Sequence, residues 1–209
     1  MPGWSRRRAL QAVATAGAAA LAGCEGETSR SGDALSDRRD RVTDYEAVHV
    51  RQTDDEPVFV TSDYTPATNV RPRGLHHLTD EEGLEDIQFR DVPGAAALES
   101  FVAATDFESA SVYLLQRQVG ECYEPLLVGV FREGDGVDAQ FCRELRPADA
   151  DCDAEAHDTY AVAIRLPFPG DDFDSRGTGS SSSCNHEQAI AIPEAASADG
   201  GSTDGGDDR

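Results

Sequence analysis

The side chains able to do chemistry fall in a few places. Cys184-Asn185-His186 sets a thiol and an imidazole two positions apart, the ligand types of a blue-copper centre. Such a centre wants a second His and often a Met. Met1 is the only Met and the usual Cys-x-x-x-x-His spacing is missing, so Cys184 reads better as a disulfide cysteine beside a polar loop. His76-His77 lies near Asp80, Glu81 and Glu82, a set able to bind a divalent metal. Adjacent residues of an extended segment point to opposite sides, which keeps two such rings from one ion. His76, His77 and His186 remain the metal candidates, and no cofactor is expected.

Asp149-x-Asp151-x-Asp153 spaces carboxylates like the start of a calcium loop, but Ala154 stands where that loop needs Gly and Tyr160 where it needs a bidentate Glu. A solvated acidic turn is the plainer reading, and Asp171, Asp172 and Asp174 fall to the same argument. For nucleophilic catalysis the chain offers Ser180 to Ser183 with His157 or His186, without a G-x-S-x-G elbow. Neither a phosphate-cradling glycine loop nor a dinucleotide fingerprint occurs.

Five cysteines are present. Cys24 stands apart near the amino terminus, leaving Cys122, Cys142, Cys152 and Cys184, an even number that reads as two disulfides in an oxidising compartment. Four cysteines permit three connectivities. The expected pairing is Cys142 with Cys152 and Cys122 with Cys184, because the polar, proline-bearing segment from Arg143 to Asp151 can loop back on itself. Zinc motifs bring C-x-x-C or H-x₃₋₅-H pairs, which this chain lacks.

The amino terminus carries an address. Arg6 and Arg7 form a twin-arginine pair ahead of Ala9 to Gly23, a weakly apolar stretch of mostly Ala and Gly, as in a twin-arginine export signal. The stretch is too short to span a membrane. Leu21-Ala22-Gly23-Cys24 resembles the lipobox of bacterial and archaeal lipoproteins, and that resemblance implies a lipid thioether on Cys24. The expected location is the extracytoplasmic face of the cell membrane, held by lipid.

All 18 basic residues are Arg, against 40 carboxylates, for a net charge of −22. Loss of Arg6, Arg7 and Arg8 with the signal leaves 15 arginines and a net −25. Such a chain repels itself at low ionic strength and is tolerated where the Debye length shrinks to about 3 Å, near 1 M salt. The charge is spread over the whole length instead of forming one tail, so a salt-rich solvent is the reading. No basic stripe exists to neutralise phosphates, which argues against a nucleic-acid partner.

Short runs with a period of two mark strands at Tyr45 to Gln52, Pro57 to Ser62, Glu85 to Val92, Ala110 to Val119, Leu126 to Arg132, Val137 to Leu145 and Thr159 to Pro167. Glu133-Gly134-Asp135-Gly136 makes Leu126 to Leu145 a hairpin. Val137, Ala139, Phe141 and Leu145 then share one face, with Cys142 on the other. After Pro93-Gly94, Leu98, Phe101 and Val102 fall at helical spacing. The expected fold is mainly β: a single antiparallel β-sandwich-like domain with one short helix. The domain bounds are a signal at 1–23, a lipid anchor and flexible spacer at 24–44, a β-rich domain at 45–194 and a disordered acidic tail at 195–209, with Gly170 to Ser183 as a long internal loop.

Thr105-Asp106-Phe107, the strands of Cys122 and Cys142, Arg143-Glu144-Leu145-Arg146-Pro147 with Cys152, and Arg165-Leu166-Pro167 together resemble uncharacterised haloarchaeal surface lipoproteins exported by the twin-arginine route. The resemblance covers about Phe101 to Cys184 and implies no known activity. The expected role is a non-catalytic binding or interaction module, its partners the membrane through lipid on Cys24 and an envelope protein or small ligand. The alternative is an extracytoplasmic hydrolase or metal-dependent enzyme using His157 or His186 with nearby carboxylates.

Overall fold

The computed structural model describes residues 40–53, 56–62, 64, 74–170, 175–185 and 187–196. Arg6, Arg7, Cys24, Asp171, Asp172, Asp174 and His186 lie outside them. The described chain is mainly β: ten strands in three sheets, with two short helices.

In chain order the strands are β1 (Asp40–Val42), β2 (Glu46–Gln52), β3 (Phe59–Thr61), β4 (Gly74–Leu78), β5 (Ile87–Phe89), β6 (Ser111–Gly120), β7 (Tyr123–Glu133), β8 (Gly136–Leu145), β9 (His157–Leu166) and β10 (Ser175–Ser181); the helices are α1 (Glu81–Glu85) and α2 (Ala95–Ala103). One four-stranded sheet runs β1-β7-β8-β10, a second runs β2-β9-β6-β4, and β3 pairs with β5. The seven expected strands all form, and the β7–β8 hairpin turns at Gly134 with positive φ.

The second sheet is central because both its faces are buried. Tyr113, Leu115 and Val119 of β6 and Tyr160, Val162, Ile164 and Leu166 of β9 meet Leu127, Val130, Val137, Ala139 and Phe141 of the first sheet. The intervening residues Val112, Leu114, Ala161 and Ala163 face the other way, onto Leu98 and Val102 of α2 and Phe59 and Ile87 of the small ribbon. Period-two patterning thus yields two apolar sets instead of one apolar and one polar, as in sheets covered on both faces. Ala161 and Ala163 leave room for α2. The helix is entered at Gly94, whose φ is 79° and whose absent Cβ would sit 3.1 Å from a Val50 methyl. Arg165 then fastens it, donating to the Phe101 carbonyl at 2.7 Å and to Thr105 Oγ1 at 3.1 Å.

Four expectations need correction. β10 forms inside the expected loop Gly170 to Ser183 and lies parallel to β8, so the sandwich is not wholly antiparallel. Gly179 admits it, since a Cβ there would strike the Gln140 side chain. β1 and Ala195 extend the folded unit past both expected bounds: Asp40 to Val42 pairs with β7, and the Ala195 N–H donates to the His49 carbonyl at 2.8 Å. A second helix, α1, is capped by Asp80, whose carboxylate accepts from the Gly83 N–H. Leu145, the last residue of β8 and paired with Tyr123, is not in the core but 69% exposed.

Candidate functional site

The two edges of the sandwich differ. At the β1/β2 edge the segment after β10 closes the gap: Ile190 exchanges backbone hydrogen bonds with Leu127 of β7, Ile192 enters the core, and the Pro193 carbonyl accepts from the His49 N–H of β2 at 2.9 Å. At the β4/β10 edge the sheets are joined by the Tyr113 hydroxyl, which donates to the Gly177 carbonyl. Burial pushes that phenol well above its ordinary pKa, so it stays a donor.

Beyond this tie the edge opens into a groove in two stretches. The larger, about 490 Å³, runs between Gly74, Leu75 and Leu115 on one wall and Thr178 to Ser180 on the other. The smaller, about 190 Å³, is bounded by Gly120, Pro125, Arg143 and His157. Arg117, Gln118 and Ser180 line both stretches. Among the described residues no carboxylate lines either stretch, in a chain where carboxylates outnumber arginines 40 to 18.

Arg117 belongs to the inward-facing set of β6, following Tyr113 and Leu115. Its guanidinium stacks over Phe141 at 4.6 Å and makes no hydrogen bond or ion pair to any described residue. Burial lowers its pKa; Tyr160 and Tyr113 oppose that shift and Arg143 adds to it. An arginine nonetheless keeps its charge. Arg143 lies over Tyr123 at 4.7 Å. With one face of each guanidinium occupied by a ring, the N–H edges are left for a ligand.

Both disulfides brace this groove, and their pairing corrects the expectation: Cys122 joins Cys152 and Cys142 joins Cys184, each with Cα atoms 5.2 Å apart. Cys142 and Cys152 are kept apart because β8 continues to Leu145 before the chain turns. Parallel pairing of β10 with β8 carries Cys184 back to Cys142 instead. The first bridge fixes the turn after Gly120 to the loop leading into His157. The second ties β8, beside Arg143, to the chain just past Ser180.

The other candidate residues are not gathered. His76 meets Phe59 edge-on, ring centroids 5.9 Å apart, while His77 Nε2 lies 3.0 Å from Ser111 Oγ on the opposite face of β4. This Ser–His contact is not a nucleophile pair: Ser111 is fully buried and its hydroxyl donates to the Phe168 carbonyl at 3.0 Å, so the imidazole is the donor to it. Burial lowers the His77 pKa and the Arg176 charge lowers it further. Among the described residues no three His, Cys, Asp or Glu side chains assemble as a metal-ligand group. Asp153 accepts from the Glu155 N–H in an exposed turn, with Asp149 and Asp151 on the same loop.

Sequence reading missed Arg117 and Arg143. One signal was present: a charge at Arg117 interrupts the apolar set Tyr113, Leu115 and Val119. Among the described residues no helix is long and apolar enough to cross a membrane. Comparison with known proteins finds no matching family model, no curated protein of significant similarity and no solved structure that matches.

Proposed function

We propose that this chain is an exported, salt-adapted surface protein, tethered by lipid on Cys24 to the extracytoplasmic face of the membrane, where it works as a non-catalytic binding module through the open-edge groove. The observation that carries this reading is the pair of disulfides beside the smaller stretch of the groove, one next to Gly120 and His157 and the other next to Arg143 and Ser180. Such crosslinks persist in oxidising compartments, and bracing a recess with them lowers the entropy lost on binding. The twin-arginine pair, the lipobox resemblance and the acidic charge supply the address and the solvent.

A hydrolase is the second reading, favoured by one observation: Ser180 and His157 line the same stretch of groove. No hydrogen bond joins them, and among the described residues no carboxylate lines the groove to orient the imidazole. The test is fractionation of cells producing the full chain and a Cys24→Ser variant, with thiol counting on the recovered protein. The proposal expects wild type in salt-washed membranes without free thiols and the variant released. Wild type in the cytosol with four free thiols besides Cys24 sinks it.

A further inference from the structure

Resting on the reading of the groove as a binding site, we propose that its ligand is a small organic acid. The carboxylate is held by Arg117 and Arg143, and the apolar body lies along Leu75 and Leu115. Three observations carry this. Arg117 is half-buried in the sandwich with no hydrogen-bonding or ionic partner among the described residues, and a cation withdrawn from water without a counter-ion is costly unless something outside the chain supplies one. No described carboxylate lines the groove in a chain rich in them, while two guanidiniums do, so the charged side chains described there are all cationic. Its two stretches also differ: the polar end offers two guanidiniums, the His157 imidazole and the Ser180 hydroxyl, whereas the larger stretch has the Leu75 and Leu115 wall.

Directional donors of this kind select an oxyanion over a halide, and a guanidinium fork matches a planar carboxylate. A volume of about 490 Å³ suits a small molecule better than a chain segment.

The experiment follows thermal unfolding and binding of the oxidised full chain with hexanoate, acetate and inorganic phosphate against chloride at matched ionic strength. Ligand that binds the folded state raises the melting temperature by mass action. Hexanoate is expected to bind at least about tenfold tighter than acetate, since its added methylenes leave water. Arg117→Met is expected to weaken hexanoate binding about tenfold or more through loss of a charge-assisted pair, while melting no lower than wild type without ligand. Arg90→Met, an exposed arginine outside the groove, changes neither. Should Arg117→Met fail to fold, Arg143→Met on the rim carries the same binding expectation.

Equal binding of acetate and hexanoate, phosphate exceeding both, no response beyond chloride, or a foldable arginine variant that responds like wild type each overturns the assignment. A cytosolic wild type that still binds hexanoate removes the surface placement and leaves the ligand standing. Membrane retention without hexanoate binding does the reverse.

Discussion

Arg51 and Arg117 show how differently one chain treats a half-buried cation at its two edges. Arg51, at the closed edge, donates to Asp158 at 2.6 Å, to Glu124 at 3.1 Å, and to the carbonyls of Tyr123 and Glu121 at 3.0 and 2.8 Å. It ties β2 to β9 and to the start of β7, so its charge is spent inside the protein. Arg117, at the open edge, has an aromatic face beneath it and nothing else described around it to accept its protons. A satisfied guanidinium serves stability, while an unsatisfied one serves an outside ligand at some cost to the fold.

The largest effect that would break this contrast is expected from Arg51→Ala. Asp158, 4% exposed, would be left as an uncompensated charge, costing about 3–5 kcal/mol in denaturant unfolding. A loss within 1 kcal/mol would place Arg51 in the same class as Arg117. Next comes the closing segment, where Ile192→Ala should cost about 2–5 kcal/mol, measured the same way, because a 4% exposed side chain leaves a cavity.

Joint replacement of Cys142 and Cys184 by Ala should cost about 2–4 kcal/mol by freeing the unfolded chain. It should also weaken groove binding more than joint replacement of Cys122 and Cys152 does, since Arg143 adjoins the first pair. Arg117→Met should lose no stability and gain up to about 1 kcal/mol, the opposite sign to Arg51.

The smallest effect is one of pH. His77 has its folded pKa below the unfolded value of about 6.5, so the unfolded chain binds more protons between the two. Stability is therefore full above about pH 6.5 and declines as pH falls below it. Melting curves at matched ionic strength should show this slope in wild type and its flattening in His77→Gln.

Strand content was legible because alternation is a local property, as Val137, Ala139 and Phe141 illustrate. β10 was not. Ser175-Arg176-Gly177-Thr178-Gly179-Ser180-Ser181 has no apolar face, and it is a strand because β8 offers it a parallel edge and its glycines let Asp138 and Gln140 lie against it. β1 is likewise a strand only because β7 runs past it. Of the groove, His157 and Ser180 were visible as reactive types, and Arg143 only as part of a loop between cysteines.

Residue order by itself determined the period-two segments, the hairpin at Gly134, the helix after Gly94 and the use of all four later cysteines in disulfides, because each follows from neighbouring residues or from an even count. Which cysteine met which, which face of β6 went to which core, and that two arginines would share a recess lined by no described carboxylate were decided by the tertiary structure. Those outcomes depend on strand order and register across the sheets, which bring together residues that nothing local connects.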